Sequence, residues 1–190
     1  MNPRKAKTAV VPIVLDPRIS NSIVGHLVGA INGAGIARGT SFLKDFMDKD
    51  VFAPGIDIID DPHRQRGLRS RPFDGEGLPT SVAKLIDNGR LTMWLLDCRS
   101  ARQLGLTSNG HAARGTSSPP SPAPSNVHMA AGKISRAQMI KEIDQGLYVT
   151  EMIGSGVNGV TGDYSRGAAG FWIEKGELAY PVSEITIAGN

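Results

Sequence analysis

The feature that most constrains the fold is a glycine-dense stretch at residues 154–190. Its sequence reads GSGVNGVTGDYSRGAAGFWIEKGELAYPVSEITIAGN. Glycines recur every few residues in the first half, and apolar segments then flank a short polar turn at residues 174–177. Glycine permits two backbones to approach closely, and β-branched and aromatic residues favour strands. The stretch therefore predicts closely packed backbone followed by a strand pair with a tight turn.

The densest polar cluster in the chain lies within this stretch, at Asp163, Tyr164, Ser165 and Arg166. A carboxylate, a phenol, a hydroxyl and a guanidinium are adjacent there, so it is the first candidate site. Ser165 lacks the G-x-S-x-G pattern of a nucleophile elbow, and no histidine follows it in the sequence. Two interpretations remain. Either a buried ion pair with hydrogen bonds pins the turn, or the cluster contacts a peptide or another ligand.

Composition favours a mixed α+β fold over a helical bundle. Of the 190 residues, 23 are glycine and 12 are proline, and such frequent glycine and proline favour short strands and many turns. The length suggests a single domain, residues 1–190. We therefore expect a β-rich domain of antiparallel and mixed strands, with hairpins, a few helices and one buried helix that carries a glycine stripe.

Net charge, cysteine content and the lack of long apolar segments argue against a nucleic-acid-binding, a disulfide-bonded or a membrane-spanning protein. The net charge of +3 is weak evidence for nucleic-acid binding, so we expect no direct contact with nucleic acid. The single cysteine, Cys98, excludes an internal disulfide and follows an apolar run, which favours an inert thiol in a reducing compartment. No segment resembles a signal peptide or approaches the roughly 18 apolar residues of a membrane span. We therefore expect a soluble, cytoplasmic protein.

The predicted glycine stripe lies in a helix that begins at residue 20 or 21 and runs to about residue 31. Gly25, Gly29 and Gly33 recur every four residues on one face. Each glycine in a helix costs about 1 kcal/mol relative to alanine. Close approach of another backbone would compensate for that cost, so we expect this helix to be buried against a sheet or a partner.

Hydrophobic patterns predict the remaining elements. Strands are predicted at residues 10–15, 56–59 and 147–153, and short helices at residues 42–47, 100–104 and 135–143. The Asn88-Gly89 pair predicts a hairpin across residues 82–96. Residues 107–126 are low in apolar content and rich in serine and proline. We expect an exposed loop with polyproline character there.

A basic loop contains four arginines within eight residues: Arg64, Arg66, Arg69 and Arg71. Such a set can grip phosphates or a carboxylate. A solvated loop, or ion pairs with neighbouring aspartates, is the simpler interpretation. The loop contains no aromatic residue that would predict stacking of nucleic-acid bases.

The histidines do not form a metal-binding pattern. His26, His63, His111 and His128 show no spacing typical of zinc ligands, and no HExxH sequence is present. The glycines at residues 154–159 also lack the G-K-[ST] sequence that completes a phosphate-binding loop.

Several longer motifs reveal a family resemblance. Residues 160–174 (VTGDYSRGAAGFWIE) and 180–190 (YPVSEITIAGN) resemble the C-terminal domain of the TldD/PmbA family, and its PmbA/TldE branch most of all. The similarity extends to residues 25–31, 38–42, 72–77, 94–96, 100–102 and 105–106, and so covers nearly the whole chain. The resemblance implies most of one C-terminal domain, without the family's N-terminal α/β domain.

The resemblance also implies a cytosolic, modulator-of-gyrase type protease system, peptidase U62. In that family a TldD-type and a TldE-type subunit form a heterodimer that degrades unfolded or extended peptides. TldD-type subunits hold zinc on a helix with an HExxxH motif. Alignment on residues 38–41 places the two histidines of that motif at Val24 and Gly29 and its glutamate at Gly25, while His26 falls at a non-ligand position.

We therefore expect no catalytic residue, no metal ligand and no cofactor in this chain, with zinc held by a TldD-type partner. The residues expected to contact a peptide or a partner are His26, His111, Asp163, Tyr164, Ser165, Arg166 and Glu184. The leading function is a non-catalytic subunit of a peptide-degrading complex. The alternatives are a metallopeptidase active on its own and a stand-alone peptide-binding or regulatory module. Homodimerisation stays open, and no membrane contact is expected.

Overall fold

The computed structural model describes residues 2–190, whose contacts divide the chain into two compact units. The first unit combines the residues up to Ile23 with Ala131–Asn190, and the second comprises Val24–Ala130. This division is finer than the single domain expected from the length. Within the described residues the two units contain four helices and ten strands, which confirms the predicted α+β class.

The elements follow in chain order. They are β1 Ile13–Leu15, α1 Pro17–Ala30, α2 Gly33–Ala37, β2 Ile58–Asp60, β3 Ala83–Asp87, β4 Arg90–Leu91, α3 Cys98–Leu104, β5 Ala112–Ala113, β6 Ser121–Pro122, β7 Val127–Met129, α4 Arg136–Lys141, β8 Gln145–Ile153, β9 Tyr164–Glu174 and β10 Glu177–Gly189.

The first unit is built on a four-stranded sheet with the order β1-β8-β9-β10. β1 runs parallel to β8, whereas β9 is antiparallel to both β8 and β10. Successive side chains of a strand point to opposite faces of the sheet, so β8 contributes to two cores. Tyr148 and Ile173 lie in one core. Leu147, Val149 and Val182 lie in the other.

Glycines allow the segments around β9 to approach closely, as the sequence predicts. A Cβ atom at Gly170 would lie 2.0 Å from the carbonyl oxygen of Tyr148. A Cβ atom at Gly156, in the turn before β9, would lie 1.7 Å from the carbonyl oxygen of Ser165. Neither distance accommodates a side chain, so both positions require glycine for this packing.

Both predicted hairpin turns are present. Asn88 and Gly89 join β3 to β4 with φ angles of 49° and 89°, and Lys175 and Gly176 join β9 to β10 with φ angles of 50° and 81°. Two consecutive residues with positive φ are typical of the two-residue turns whose twist matches that of paired strands. These turns set the register of each hairpin.

The second unit contains an antiparallel sheet with the order β4-β3-β2-β7 and a separate two-stranded ribbon of β5 and β6. Its core contains six fully buried aliphatic residues: Ile31, Ile58, Leu85, Ile86, Leu91 and Leu95. Backbone hydrogen bonds from Leu95 to Ile31 (3.0 Å) and from Gly33 to Leu95 (2.8 Å) tie the start of α2 to the segment before α3.

Helix α1 begins earlier than predicted, at Pro17. The preceding Asp16 accepts the backbone N–H of Arg18 at 3.0 Å, which is the role of an N-cap side chain. Proline suits the first helical position because its missing N–H would have had no partner within the helix. The prediction of a start at residue 20 or 21 is therefore wrong.

Among the described residues, close packing against the glycine stripe occurs at one position only. Apart from the helix's own backbone and the adjacent residues, no described atom lies within 4 Å of a Cβ built at Gly25 or Gly29, so no described backbone packs there, and packing against a partner stays a prediction. At Gly33, the first residue of α2, a Cβ would lie 2.5 Å from the carbonyl oxygen of Leu95. Among the described residues of α1, Leu27 and Ala30 are the buried ones.

Two other segments differ from prediction. Residues 42–47 form turns instead of a helix, because hydrogen bonds such as Lys44 to Ser41 and Phe46 to Leu43 span only three residues. Residues 107–126 are exposed in the middle, at 114–119, but contain β5 and β6 and are buried at several positions near both ends. The composition of residues 107–126 correctly predicted an exposed segment in the middle. It could not predict that acidic side chains elsewhere in the chain would bind the two ends of the segment.

The predicted N-cap of α4 is confirmed, since Ser135 Oγ accepts the backbone N–H of Gln138 at 3.2 Å. Among the described residues, none of the helices combines the length and the apolar character needed to cross a bilayer.

Candidate functional site

The second unit contains a buried polar cluster centred on Asp60, at the end of β2. Asp60 is fully buried, with 0% of the residue exposed. Its two oxygens accept the backbone N–H of Ser125 at 3.1 and 2.8 Å, and one of them also accepts the Ser125 hydroxyl. His111 Nε2 lies 3.3 Å from the other oxygen. We call Asp60, His111 and Ser125 the Asp60 cluster.

The chemistry of the Asp60 cluster is that of a structural anchor. Burial alone would raise the pKa of Asp60, but the hydrogen bonds from His111 and Ser125 outweigh burial and lower it, so the carboxylate stays ionised. In a serine-hydrolase triad the hydroxyl donates to the histidine, and the histidine donates to the carboxylate. Here the Ser125 hydroxyl donates directly to Asp60, so the cluster does not activate a nucleophile.

The second ring nitrogen of His111 is also engaged within the protein. Its Nδ1 atom lies 2.9 Å from both the backbone oxygen and the side-chain oxygen of Asn109. The Asn109 side-chain oxygen also accepts the backbone N–H of Leu96 at 3.0 Å. His111, predicted to contact a peptide or a partner, is thus buried with its ring facing Asp60 and Asn109.

A second buried carboxylate, Asp74, organises the loop that follows it. Asp74 accepts the backbone N–H groups of Glu76 (2.9 Å), Leu78 (3.0 Å) and Ala112 (3.0 Å). Glu76 in turn accepts the backbone N–H of Cys98 at 2.7 Å, at the first residue of α3. Asp74 and Glu76 therefore hold backbone segments together through charge-assisted hydrogen bonds.

The surroundings of Cys98 support the prediction of an inert thiol. A hydrogen bond with Glu76 and partial burial raise the pKa of the thiol. A raised pKa reduces the thiolate fraction at neutral pH, and the thiolate is the reactive form.

In the first unit, sequence reasoning missed a polar network around Asp16. Hydrogen bonds from Arg18 and from the Tyr148 hydroxyl hold the pKa of Asp16 well below its usual range. Arg136 Nη1 donates to the Tyr148 oxygen at 3.0 Å. The Asp16-Pro17 pair at the start of a helix was the only local signal, because Tyr148 lies far away in sequence.

The polar stretch at residues 163–166 does not contain the expected ion pair. Asp163 accepts from Thr161 Oγ1 (2.6 Å) and Asn190 Nδ2 (2.9 Å), and these hydrogen bonds lower its pKa. Arg166 forms no salt bridge with any described carboxylate, and its buried Nε has no hydrogen-bond partner there. Asp163 lies in the irregular segment before β9, whereas Arg166 lies on β9, so of the two interpretations of this stretch the buried ion pair is wrong.

The other residues of that stretch have different surroundings. The Tyr164 hydroxyl donates to Met152 Sδ at 3.0 Å. The backbone N–H of Ser165 donates to the Gly156 carbonyl at 2.6 Å, while the Ser165 side chain is exposed. Ser165 thus serves the turn through its backbone.

The last two predicted contact residues lie apart from this stretch. Glu184 lies in a bulge of β10 with a φ of 53°, and its exposed carboxylate pairs with Lys5 Nζ at 3.0 Å. His26 is half-buried on α1, in the second unit. The structure therefore places five of the seven predicted residues on β9, on β10 or beside them, and describes His26 and His111 in the other unit.

Comparison with known proteins gives a consistent result. Residues 8–190 match the model of the PmbA/TldA metallopeptidase C-terminal domain. The chain is 46% identical over 190 residues to Metalloprotease PmbA of Escherichia coli O157:H7, which covers 100% of this chain and 40% of that protein.

Two solved structures are similar over almost the whole chain. A Thermotoga maritima protein bearing the name modulator of a DNA gyrase superposes with a TM-score of 0.89 at 30% identity, covering 99% of this chain and 43% of that one. TldE from Thermococcus kodakarensis superposes with a TM-score of 0.83 at 28% identity, covering 100% of this chain and 43% of that one.

The matching family model is that of a metallopeptidase domain, so the residues of this chain must be tested as ligands for a metal ion. At the α1 positions where the resemblance places the zinc motif, Val24, Gly25 and Gly29 offer no donor side chain. The described residues contain no group of three or more His, Cys, Asp or Glu side chains placed to hold one ion. These α1 residues do not fit a zinc ion.

The similarity extends along the chain, while the relatives are longer. The chain spans about two fifths of the length of Metalloprotease PmbA. The family model matches residues 8–190, a range that extends over both units. This chain therefore belongs to the PmbA/TldD family of metallopeptidases and corresponds to its C-terminal domain.

Proposed function

We propose that this chain forms part of a non-catalytic PmbA/TldE-type subunit, which pairs in the cytoplasm with a zinc-bearing TldD-type subunit and helps to enclose a channel for unfolded peptides. The observation that carries the proposal is the identity of the side chains on α1. Val24, Gly25 and Gly29 stand where a TldD-type subunit would need two imidazoles and a carboxylate. Zinc hydrolysis requires such ligands and a general base.

The hydrogen bonds of three buried aspartates also support a non-catalytic role. Asp74 accepts three backbone N–H groups, while Asp60 and Asp97 each accept one backbone N–H and one serine hydroxyl, and Asp97 forms a capping box with Ser100 at the start of α3. A buried carboxylate whose oxygens already accept hydrogen bonds from the protein is poorly suited to act as a general base. These residues stabilise the scaffold on which a partner or a peptide would be held.

The relatives support the choice of branch within the family. The 46% identity to Metalloprotease PmbA and the structural similarity to TldE both indicate the PmbA/TldE branch. Because the chain spans only part of those proteins, the heterodimer and the peptide substrate stay proposals for this protein.

Association with a TldD-type subunit is the direct test of the proposed role. The tagged protein and an untagged TldD-type subunit from the same organism would be co-expressed and purified, and the mass of the eluted species measured by light scattering. The proposal predicts an equimolar complex that survives gel filtration. If both proteins elute separately at their monomer masses, the subunit role is wrong and a stand-alone peptide-binding module becomes the better description.

A second candidate, a metallopeptidase active on its own, is favoured by the name Metalloprotease PmbA of the relative. Metal analysis of the protein purified without a partner distinguishes the two candidates. The proposed function predicts no stoichiometric zinc. Stoichiometric zinc that is lost in His26→Ala or His111→Ala, and retained in the exposed-site control His63→Ala, would establish the second candidate instead.

A further inference from the structure

The basic loop singled out in the sequence is a braced structure in the second unit. We call residues 64–71 the arginine loop. The Asn126 side chain binds the loop at two residues, since its Oδ1 accepts the backbone N–H of Arg69 at 3.0 Å and its Nδ2 donates to Ser70 Oγ at 3.0 Å. The same Nδ2 donates to the Asp61 carbonyl at 2.8 Å, just before the loop. Within the loop, Ser70 Oγ donates to the Arg64 carbonyl at 2.6 Å. These bonds fix the loop before any partner arrives.

The backbone at the tip of the loop is equally constrained. Arg66 has a φ of 57°, in the left-handed region that residues other than glycine rarely adopt. A Cβ at the neighbouring Gly67 would lie 2.5 Å from Ser70 Oγ and 2.8 Å from the Asn126 side chain. Such a conformation persists only where the surrounding contacts enforce it, and the Asn126 and Ser70 bonds supply them.

The loop presents an apolar side chain among positive charges. Leu68 is 101% exposed, which is extreme for a leucine. Arg64, Arg66 and Arg69 are exposed around it, and the same residues line a cavity of about 440 Å³ together with Ser125, Asn126 and Val127. The loop therefore combines an apolar contact with a concave basic surface.

The three exposed guanidiniums are not neutralised within the described part of the chain. No salt bridge joins Arg64, Arg66 or Arg69 to a carboxylate among residues 2–190. The nearby Asp61 accepts the backbone N–H of His63 at 2.9 Å instead. Of the two simpler interpretations, the solvated loop agrees with the exposure of these three arginines, and ion pairs with neighbouring aspartates are absent among the described residues.

We propose that the arginine loop is a docking surface for an acidic polypeptide segment that carries an apolar side chain. Guanidiniums bind carboxylates through two parallel hydrogen bonds, so Arg64, Arg66 and Arg69 would fix the acidic residues. Leu68 would pack against the apolar residue and lose its exposure to water. Because the loop is already ordered, binding requires little further loss of conformational freedom. The inference does not depend on the proposed function.

The surface suits a polypeptide better than a nucleic acid. Surfaces that bind single-stranded nucleic acid without sequence preference combine basic residues with aromatic rings that stack on the bases. The arginine loop has no aromatic residue and exposes Leu68 in the same cavity as Arg64, Arg66 and Arg69. A leucine in that position would face phosphates without any favourable contact, whereas a polypeptide can supply both a carboxylate and an apolar group.

The test measures binding of labelled peptides to the protein by fluorescence anisotropy. The probe repeats the sequence Glu-Glu-Leu-Gly, and matched probes replace every glutamate by glutamine or every leucine by serine. We expect saturable binding of the first probe, weaker binding of the second and third by roughly tenfold each, and weakening by added salt. A single-stranded oligonucleotide that binds more tightly than the acidic probe would overturn the polypeptide assignment, as would equal binding of the glutamine probe.

Variants locate the binding surface. Arg64→Glu combined with Arg69→Glu should reduce affinity for the acidic probe by at least about tenfold, while the control pair Arg99→Glu and Arg102→Glu on the exposed face of α3 should change it little. Arg66→Gly removes a guanidinium and at the same time relieves the left-handed backbone. It should raise the melting temperature yet weaken binding, so misfolding cannot explain its loss of affinity. If the control pair weakens binding as much as the loop variants, the proposal is wrong.

Discussion

The phenol of Tyr148 donates a hydrogen bond to the carboxylate of Asp16, which lies 132 residues earlier in the chain. The same carboxylate accepts the Nε–H of Arg18 at 2.8 Å. Tyr148 belongs to β8, and Asp16 caps α1, so the bond fixes the start of that helix on the sheet of the first unit. A long-range contact of this kind stabilises the fold without leaving a local pattern in the sequence.

Removal of that hydroxyl tests the importance of the bond. Tyr148→Phe leaves the ring in its core but removes the donor to Asp16 and the acceptor for Arg136. We expect a loss of about 1–2 kcal/mol in the free energy of unfolding, measured by urea denaturation. Tyr180→Phe is the matched control, because the Tyr180 hydroxyl forms no hydrogen bond among residues 2–190. Equal effects of the two substitutions would contradict the account.

The Asp60 cluster predicts a dependence of stability on pH. The pKa of Asp60 is lower in the folded protein than its ordinary value of 3.8, which applies in the unfolded chain. Because the pKa is lowered on folding, ionised Asp60 stabilises the folded protein at pH values above the unfolded-state pKa. This stabilisation is lost as the pH falls through 3.8 toward the pKa of the folded protein.

The substitution that tests this is Asp60→Asn. The variant should be less stable at neutral pH and should show a shallower loss of stability on acidification than the wild type. The exposed Asp45→Asn serves as the control, and both would be followed by thermal unfolding across an acid pH series. A wild-type slope in Asp60→Asn would show that another group causes the acid sensitivity.

Two glycines predict opposite effects of the same substitution. Gly170→Ala would place a Cβ 2.0 Å from the Tyr148 carbonyl, so β8 and β9 must separate, and we expect a loss of at least about 2 kcal/mol. At Gly25, on α1, a Cβ meets no described atom within 4 Å apart from the helix's own backbone and the adjacent residues, so the higher helix propensity of alanine should make Gly25→Ala more stable by up to about 1 kcal/mol. Thermal unfolding of both variants checks the pair. A destabilised Gly25→Ala would show that another surface packs against α1.

Arg166 tests whether the 163–166 stretch is scaffold or site. Arg166 pairs in register with Ile187 across β9 and β10, with its Nε buried. Arg166→Ala should lower stability by about 1 kcal/mol through lost packing of the side-chain stem, or weaken assembly, and should leave peptide processing per assembled complex unchanged. A variant with normal stability and assembly that no longer processes peptides would restore a functional role for this stretch.

The sequence correctly predicted the turns and the helix N-cap that depend only on residues close together in the chain. Asn88-Gly89 and Lys175-Gly176 identified both hairpins because few residue pairs tolerate two consecutive positive φ angles. Ser135 identified the start of α4 because its side chain bonds a backbone N–H only three residues away. In each case the cause and the effect lie within one turn of the chain.

Features that depend on distant partners were missed. The spacing of Gly25 and Gly29 shows that they share a helix face, but it cannot show whether anything packs against that face. The burial of Ser125 and His111 depends on Asp60, which lies 65 residues from Ser125. The serine- and proline-rich composition around them suggested only exposure, because composition does not reveal which buried acid a segment will bond.

Peptide hydrolysis by the protein, with and without a TldD-type subunit, tests the central claim most directly. Both proteins would be purified separately, and cleavage of an unfolded peptide would be followed by mass spectrometry for each protein alone and for the mixture. The account predicts no cleavage by this protein alone and efficient cleavage by the mixture, abolished when zinc is removed from the TldD-type subunit. Cleavage by this protein alone at the rate of the mixture would contradict a non-catalytic role.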